Sequence, residues 1–142
     1  MLMELTESVV GPLQVEEASI IEFPEGLLGF SNLRQFILLQ NESSEPFKWL
    51  QSLSDPALAL PVVEPLRIFS NYSDAPAPED LASVQAEGPA DVVTFVVAII
   101  PKDPLESTVN LKAPVIINFR RMIGRQIILE SQREVRTRII SK

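Results

Sequence analysis

At 142 residues, with 46% hydrophobic and 22% charged side chains, the chain has the length and balance of one globular domain with room for a packed core. It has no cysteine and no histidine, which excludes disulfides, thiol chemistry, serine–histidine triads and ordinary zinc sites. The net charge of −7 is uneven: residues 1–91 hold 15 acidic and 3 basic side chains, a balance of −12, whereas residues 92–142 hold 4 and 9, a balance of +5. An acidic field of that size repels nucleic acid and steers toward a basic partner.

The elements are short apolar runs separated by turn signals. Residues 2–10 alternate loosely and stop at the turn pair Gly11-Pro12. Residues 15–23 read as one strand ending at Pro24. Gly26-Leu27-Leu28-Gly29 is expected to be a turn with positive φ at one or both glycines. It lacks the lysine, the hydroxyl and the following helix of a phosphate loop. Residues 34–40 and 47–51 are strands on either side of a polar loop, and 57–63 follow the Ser54-Asp55-Pro56 turn. Pro61 inside that last run predicts an edge position or a bulge. Residues 66–72 alternate as a further strand.

Residues 73–91 carry three prolines and several acids, and Pro78-Glu79-Asp80 opens a short helix through about Val84. Residues 91–100 are rich in β-branched side chains on both faces and predict a central strand covered on both sides. This run, the longest apolar one, is far short of the ~20 residues of a membrane span, and no signal peptide is read at the start. The protein is therefore expected to be soluble and cytoplasmic. Two strands flank Lys112-Ala113-Pro114, a turn is expected at Met122-Ile123-Gly124, and residues 125–130 and 134–140 complete the set. The whole reads as a single domain over 1–142, all-β and mostly antiparallel, a small barrel-like fold or sandwich with one or two short helices.

Few constellations carry chemistry. Glu16, Glu17, Glu22 and Glu25 form an acidic group; Glu16 and Glu22 share a face only if no bulge intervenes. That group suits docking of a basic protein, and equally the solvated face of a half-buried strand. Arg120, Arg121, Arg125, Arg133, Arg136 and Arg138 are the best argument for RNA, but no aromatic platform is interleaved with them. Trp49 and Phe47 are a core anchor or an interface hot spot. A carboxylate-only hydrolase needs two acids converging in a cleft.

Taken in order, Phe23-Pro24-Glu25-Gly26-Leu27, Gly29-Phe30, Pro46-Phe47-Lys48-Trp49-Leu50-Gln51-Ser52, Asp55-Pro56-Ala57-Leu58-Ala59-Leu60, Thr108-Val109-Asn110-Leu111, Ala113-Pro114-Val115-Ile116-Ile117-Asn118 and Gln126-Ile127-Ile128-Leu129 resemble the FliW flagellar assembly factors over nearly the whole length. Arg133-Glu134-Val135-Arg136 and Pro61 depart from the family pattern. The resemblance implies a β-barrel-like fold and no enzymatic activity, cofactor or metal. It implies a protein antagonist that binds the carbon storage regulator CsrA and flagellin, contacts neither membrane nor nucleic acid directly, and is monomeric when free. The expected contacts are Glu16, Glu17, Glu22, Asp74, Glu79 and Asp80 for electrostatic docking, and Phe30, Trp49, Asp55 and Pro56 for a shaped surface. Asn110 and Asn118 are expected to fix backbone.

Overall fold

The computed structural model describes residues 2–5, 13–40, 42, 45–72, 75–129 and 137–139, with 2–5 and 13–17 described by backbone alone. In chain order the strands are β1 (Leu2–Leu5), β2 (Leu13–Glu16), β3 (Ile21–Glu22), β4 (Gln35–Gln40), β5 (Lys48–Ser52), β6 (Ala59–Val63), β7 (Val93–Ile99), β8 (Thr108–Val109), β9 (Val115–Asn118), β10 (Ile123–Gln126) and β11 (Thr137–Arg138). One short helix, α1 (Pro78–Ser83), lies between β6 and β7.

Seven strands close into a barrel in the order β3, β4, β5, β6, β7, β9, β10. The ring shuts through its one parallel step, Ile123 of β10 against Glu22 of β3, where the Glu22 N–H donates to Met122 O at 2.9 Å. Closure removes the sheet edges that would otherwise template association. β1 and β2 form a separate antiparallel pair, and β8 and β11 extend the sheet from β7.

Alternation fills the interior. Ile21, Phe23, Phe36, Leu50, Val62, Phe95, Val115 and Ile117 point inward and are buried, with Leu27 plugging the ring from a loop. Phe23 and Phe36 meet edge to face, their ring centroids 5.4 Å apart. The next residues along each strand face outward and are covered separately. Ile116 packs under Val84 at the end of α1; Val96 and Ala98 pack under Ile68, Phe69 and Tyr72. β7 is therefore apolar on both faces, as its composition predicts.

Several local expectations are corrected. Residues 15–23 are not one strand: a 3-10 turn at Glu17–Ser19 divides them, so Glu16 and Glu22 lie in different sheets. Residues 66–72 are not a strand. A 3-10 turn at Pro65–Arg67 is continued by Phe69 N–H to Pro65 O at 2.7 Å, and Ile68, Phe69 and Tyr72 meet the barrel at helical spacing. Gly124 is not in a turn but inside β10, and the left-handed residue of that connection is Met122, φ 55°. β10 ends at Gln126, but Ile127 and Leu129 go on donating to Pro114 O and Lys112 O, each at 2.9 Å. Most of the predicted strand over 134–140 lies outside the described residues; its Thr137–Arg138 portion pairs with β8.

Pro61 stands within β6 opposite Trp49. The register turns its nitrogen toward β7, and the β6–β7 ladder ends at Val62 against Val97, because proline has no N–H for the next bond.

Candidate functional site

The end of the barrel beside Pro61 is an apolar mouth, built by two loops. The first runs from Phe23 to Leu33. Gly26 (φ 66°) must be glycine, since a Cβ there would lie 2.5 Å from Phe30 O and 2.6 Å from Ser31 Cα. Leu27 and Phe30 then bond each other through both backbone groups, at 3.3 and 2.8 Å, around Leu28 and Gly29 (φ 83°). This tight turn drives Leu27 into the core and leaves Leu28, 53% exposed, at the tip. Both glycines thus adopt the positive φ expected of them.

The second loop is a bulge. From Ala98 to Phe95, β7 advances three residues while the strand facing it advances six, from Val109 to Val115. The Asn110 N–H holds Val97 O at 2.9 Å, and its Oδ1 accepts from Lys112 N at 3.0 Å and Ala113 N at 3.1 Å. Gln126 ties the loops together: Oε1 accepts from Leu28 N at 2.8 Å and Nε2 donates to Ala113 O at 2.9 Å. Between them is a cavity of about 160 Å³, lined by Leu28, Phe30, Leu60, Val97, Ile99 and Gln126 among others. Ile99 is 54% exposed because β7 outruns the ladder that Pro61 ends. Gln126→Ala is expected to lower stability by about 1–2 kcal/mol by orphaning two backbone groups. Thermal denaturation checks it, with Gln126→Glu keeping the bond from Leu28 N and losing the one to Ala113 O.

Of the residues nominated from sequence, Phe30 lines this mouth, half-buried. Asp55 and Pro56 form the β5–β6 turn at the same end of the barrel. Asp55 Oδ1 accepts from Ala57 N at 3.2 Å, Ser52 Oγ accepts from Asp55 N at 3.0 Å, and the buried Gln51 donates to Ser52 O, Pro56 O and Leu58 O. Trp49 is elsewhere, half-buried on the outer face between Leu39 and Pro61. Glu22 is exposed and accepts from Gln35 Nε2 at 2.8 Å. On α1, Glu79 is exposed, and Asp80 accepts from Ala77 N at 3.2 Å. Glu16 and Glu17 are described by backbone alone, and Asp74 lies outside the described residues. The acids are therefore distributed over separate elements rather than gathered on one strand face.

Among the described residues the arginines do not form one strip. Arg125 meets Glu25 at 3.1 Å, Arg138 pairs with Glu106, and Arg120 and Arg121 are exposed on the turn after β9; Arg133 and Arg136 lie outside the described residues. Asn118, buried, fixes backbone as expected. Its Nδ2 donates to Val84 O at 3.0 Å and Gln85 O at 3.3 Å, and its Oδ1 accepts from Arg120 N at 3.1 Å and Arg121 N at 3.3 Å. Sequence reasoning missed Leu28, Ile99 and Gln126 as builders of the mouth. The one available signal was Leu28 next to a glycine at a turn tip. Among the described residues no helix is long and apolar enough to cross a membrane.

The profile of the FliW protein family matches residues 4–139. The flagellar assembly factor FliW of Natranaerobius thermophilus is 38% identical over 128 residues, 89% of this chain and 85% of that protein. That of Geobacter sulfurreducens is 39% identical over 131 residues, 92% and 82% of the two chains. A crystal structure of the flagellar assembly factor FliW superposes with a TM-score of 0.92 at 30% identity, covering 99% of both chains. With sequence, barrel and length in agreement, the chain belongs to the FliW family of flagellar assembly factors.

Proposed function

We propose that this protein is a cytoplasmic regulator that binds CsrA and flagellin in turn. Bound to CsrA, it relieves repression of flagellin translation. Flagellin that accumulates occupies the factor and frees CsrA to repress; export of flagellin reverses the exchange. The switch is partner competition by mass action. The observation that carries this reading is the family match over residues 4–139.

Two physical features support it. The −12 balance of residues 1–91 suits a basic RNA-binding protein and raises its association rate by steering. The apolar barrel mouth suits an amphipathic segment such as unassembled flagellin offers. Glu16, Glu17, Glu22, Asp74, Glu79 and Asp80 are the proposed acidic contacts, and Phe30, Trp49, Asp55 and Pro56 the proposed shaped surface.

Titration calorimetry with purified CsrA tests the proposal. A saturable complex at micromolar concentration is expected, weakening as salt rises; absence of a complex at low salt overturns it. Flagellin leader RNA alone is expected to give no gel shift, and a shift without CsrA would favour direct RNA binding by the arginines.

A further inference from the structure

At the opposite end of the β6–β7 pair from the mouth, the ladder stops at Val63 against Val96 and the chains part. Glu64 leads into the 3-10 turn at Pro65–Arg67, and residue 92 leads into β7. The space between is a cavity of about 380 Å³ lined by Glu64, Pro65, Leu66, Tyr72, Val92 and Val93, with Thr94. Leu66 stands at it 63% exposed, although it is a large apolar side chain.

Among the described residues Glu64 is the one charged side chain of this lining, and it is half-buried. Its carboxylate caps no backbone N–H of the turn it precedes and has no ion-pair partner among the described residues. Arg67, three residues on, faces Glu45 at 3.8 Å instead. Of the described acids between Tyr72 and β7, Asp91 accepts from Glu87 N at 2.9 Å and Asp80 from Ala77 N at 3.2 Å. An uncompensated carboxylate beside apolar walls selects its occupant. An apolar side chain would desolvate the charge without pairing it, and an acidic one would be repelled. A long basic side chain lays its aliphatic stem along Pro65, Leu66 and Val92, can place its cationic head near the Tyr72 ring, and supplies the missing counter-charge.

We propose that this cavity receives an arginine or lysine side chain of a basic protein partner. The proposal rests on the reading that CsrA is that partner. Calorimetry with CsrA compares the wild type with Glu64→Gln, which keeps shape and removes the charge, and with Glu42→Gln, which removes an exposed charge of the β4–β5 loop outside the cavity lining. Glu64→Gln is expected to weaken binding at least about tenfold, and Glu42→Gln by less than about twofold. Leu66→Ser is expected to weaken binding as well. Wild-type affinity in Glu64→Gln, or equal losses in the two Gln variants, overturns the cavity while leaving CsrA binding in place. No complex with the wild type overturns both. Unchanged thermal midpoints establish that the variants fold.

Discussion

Replacing Gly124 with alanine is expected to destabilise the protein by about 2–3 kcal/mol, read as a lower urea midpoint at unchanged m-value. Gly124 is inside β10, opposite Ile117 of β9, and its φ is not left-handed, so backbone freedom is not what it supplies. It supplies absence. A Cβ there would lie 2.5 Å from two ring carbons of Phe23. Phe23 has no exposed surface and is held edge to face by Phe36, so the ring cannot swing away without opening the core. The same alanine in a Phe23→Leu background is expected to cost less than about 1 kcal/mol, because the ring atoms it meets are gone. An equal cost in both backgrounds would show that the close approach is not the cause.

Asn118→Ala is expected to cost about 3 kcal/mol, since it removes four hydrogen bonds, one of them buried and three part-buried, and leaves their backbone groups unpaired. The side chain links two separate pieces of structure. Its amide nitrogen holds the last carbonyls of the α1 turn, at Val84 and Gln85, and its oxygen holds the amides of the β9–β10 turn at Arg120 and Arg121. Gln85 is left-handed, φ 58°, so the turn it closes depends on outside support. Urea denaturation gives the global cost. Amide exchange at Ala86, whose N–H bonds Leu81 O at 2.9 Å, is expected to speed up more than exchange at Leu50 in the barrel wall. Equal acceleration at both would mean that Asn118 supports the barrel as a whole rather than α1.

Much of the fold was legible because strands advertise themselves locally. Residues 34–40 and 93–99 carry their apolar runs within a few positions, and turn residues bound them. The helix at Pro78 was legible for the same reason: proline first, acids in the first turn. Residues 66–72 misled because alternation there is incidental; Pro65 starts a turn whose apolar residues meet the sheet at helical spacing. Gly124 misled because glycine next to a turn looks like part of it, and only Phe23, a hundred residues earlier, explains it. Of the mouth, Phe30 was nominated and Gln126 was not. Nothing in its neighbourhood announces that one amide will bond Leu28 and Ala113 at once.

By itself the sequence determined the all-β class, the turns at Gly26–Gly29 and Ser54–Pro56, the acidic first half, the absence of histidine and cysteine chemistry, and the family resemblance. Each is a property of residue identity or of short-range period. Tertiary structure decided that the strands close through β10 on β3, that the end beside Pro61 is open, and that Glu64 sits beside an apolar cavity with no counter-ion among the described residues. Those outcomes depend on which distant residues meet, and the energies that decide them, ring closure, steric exclusion and charge burial, exist only once they do.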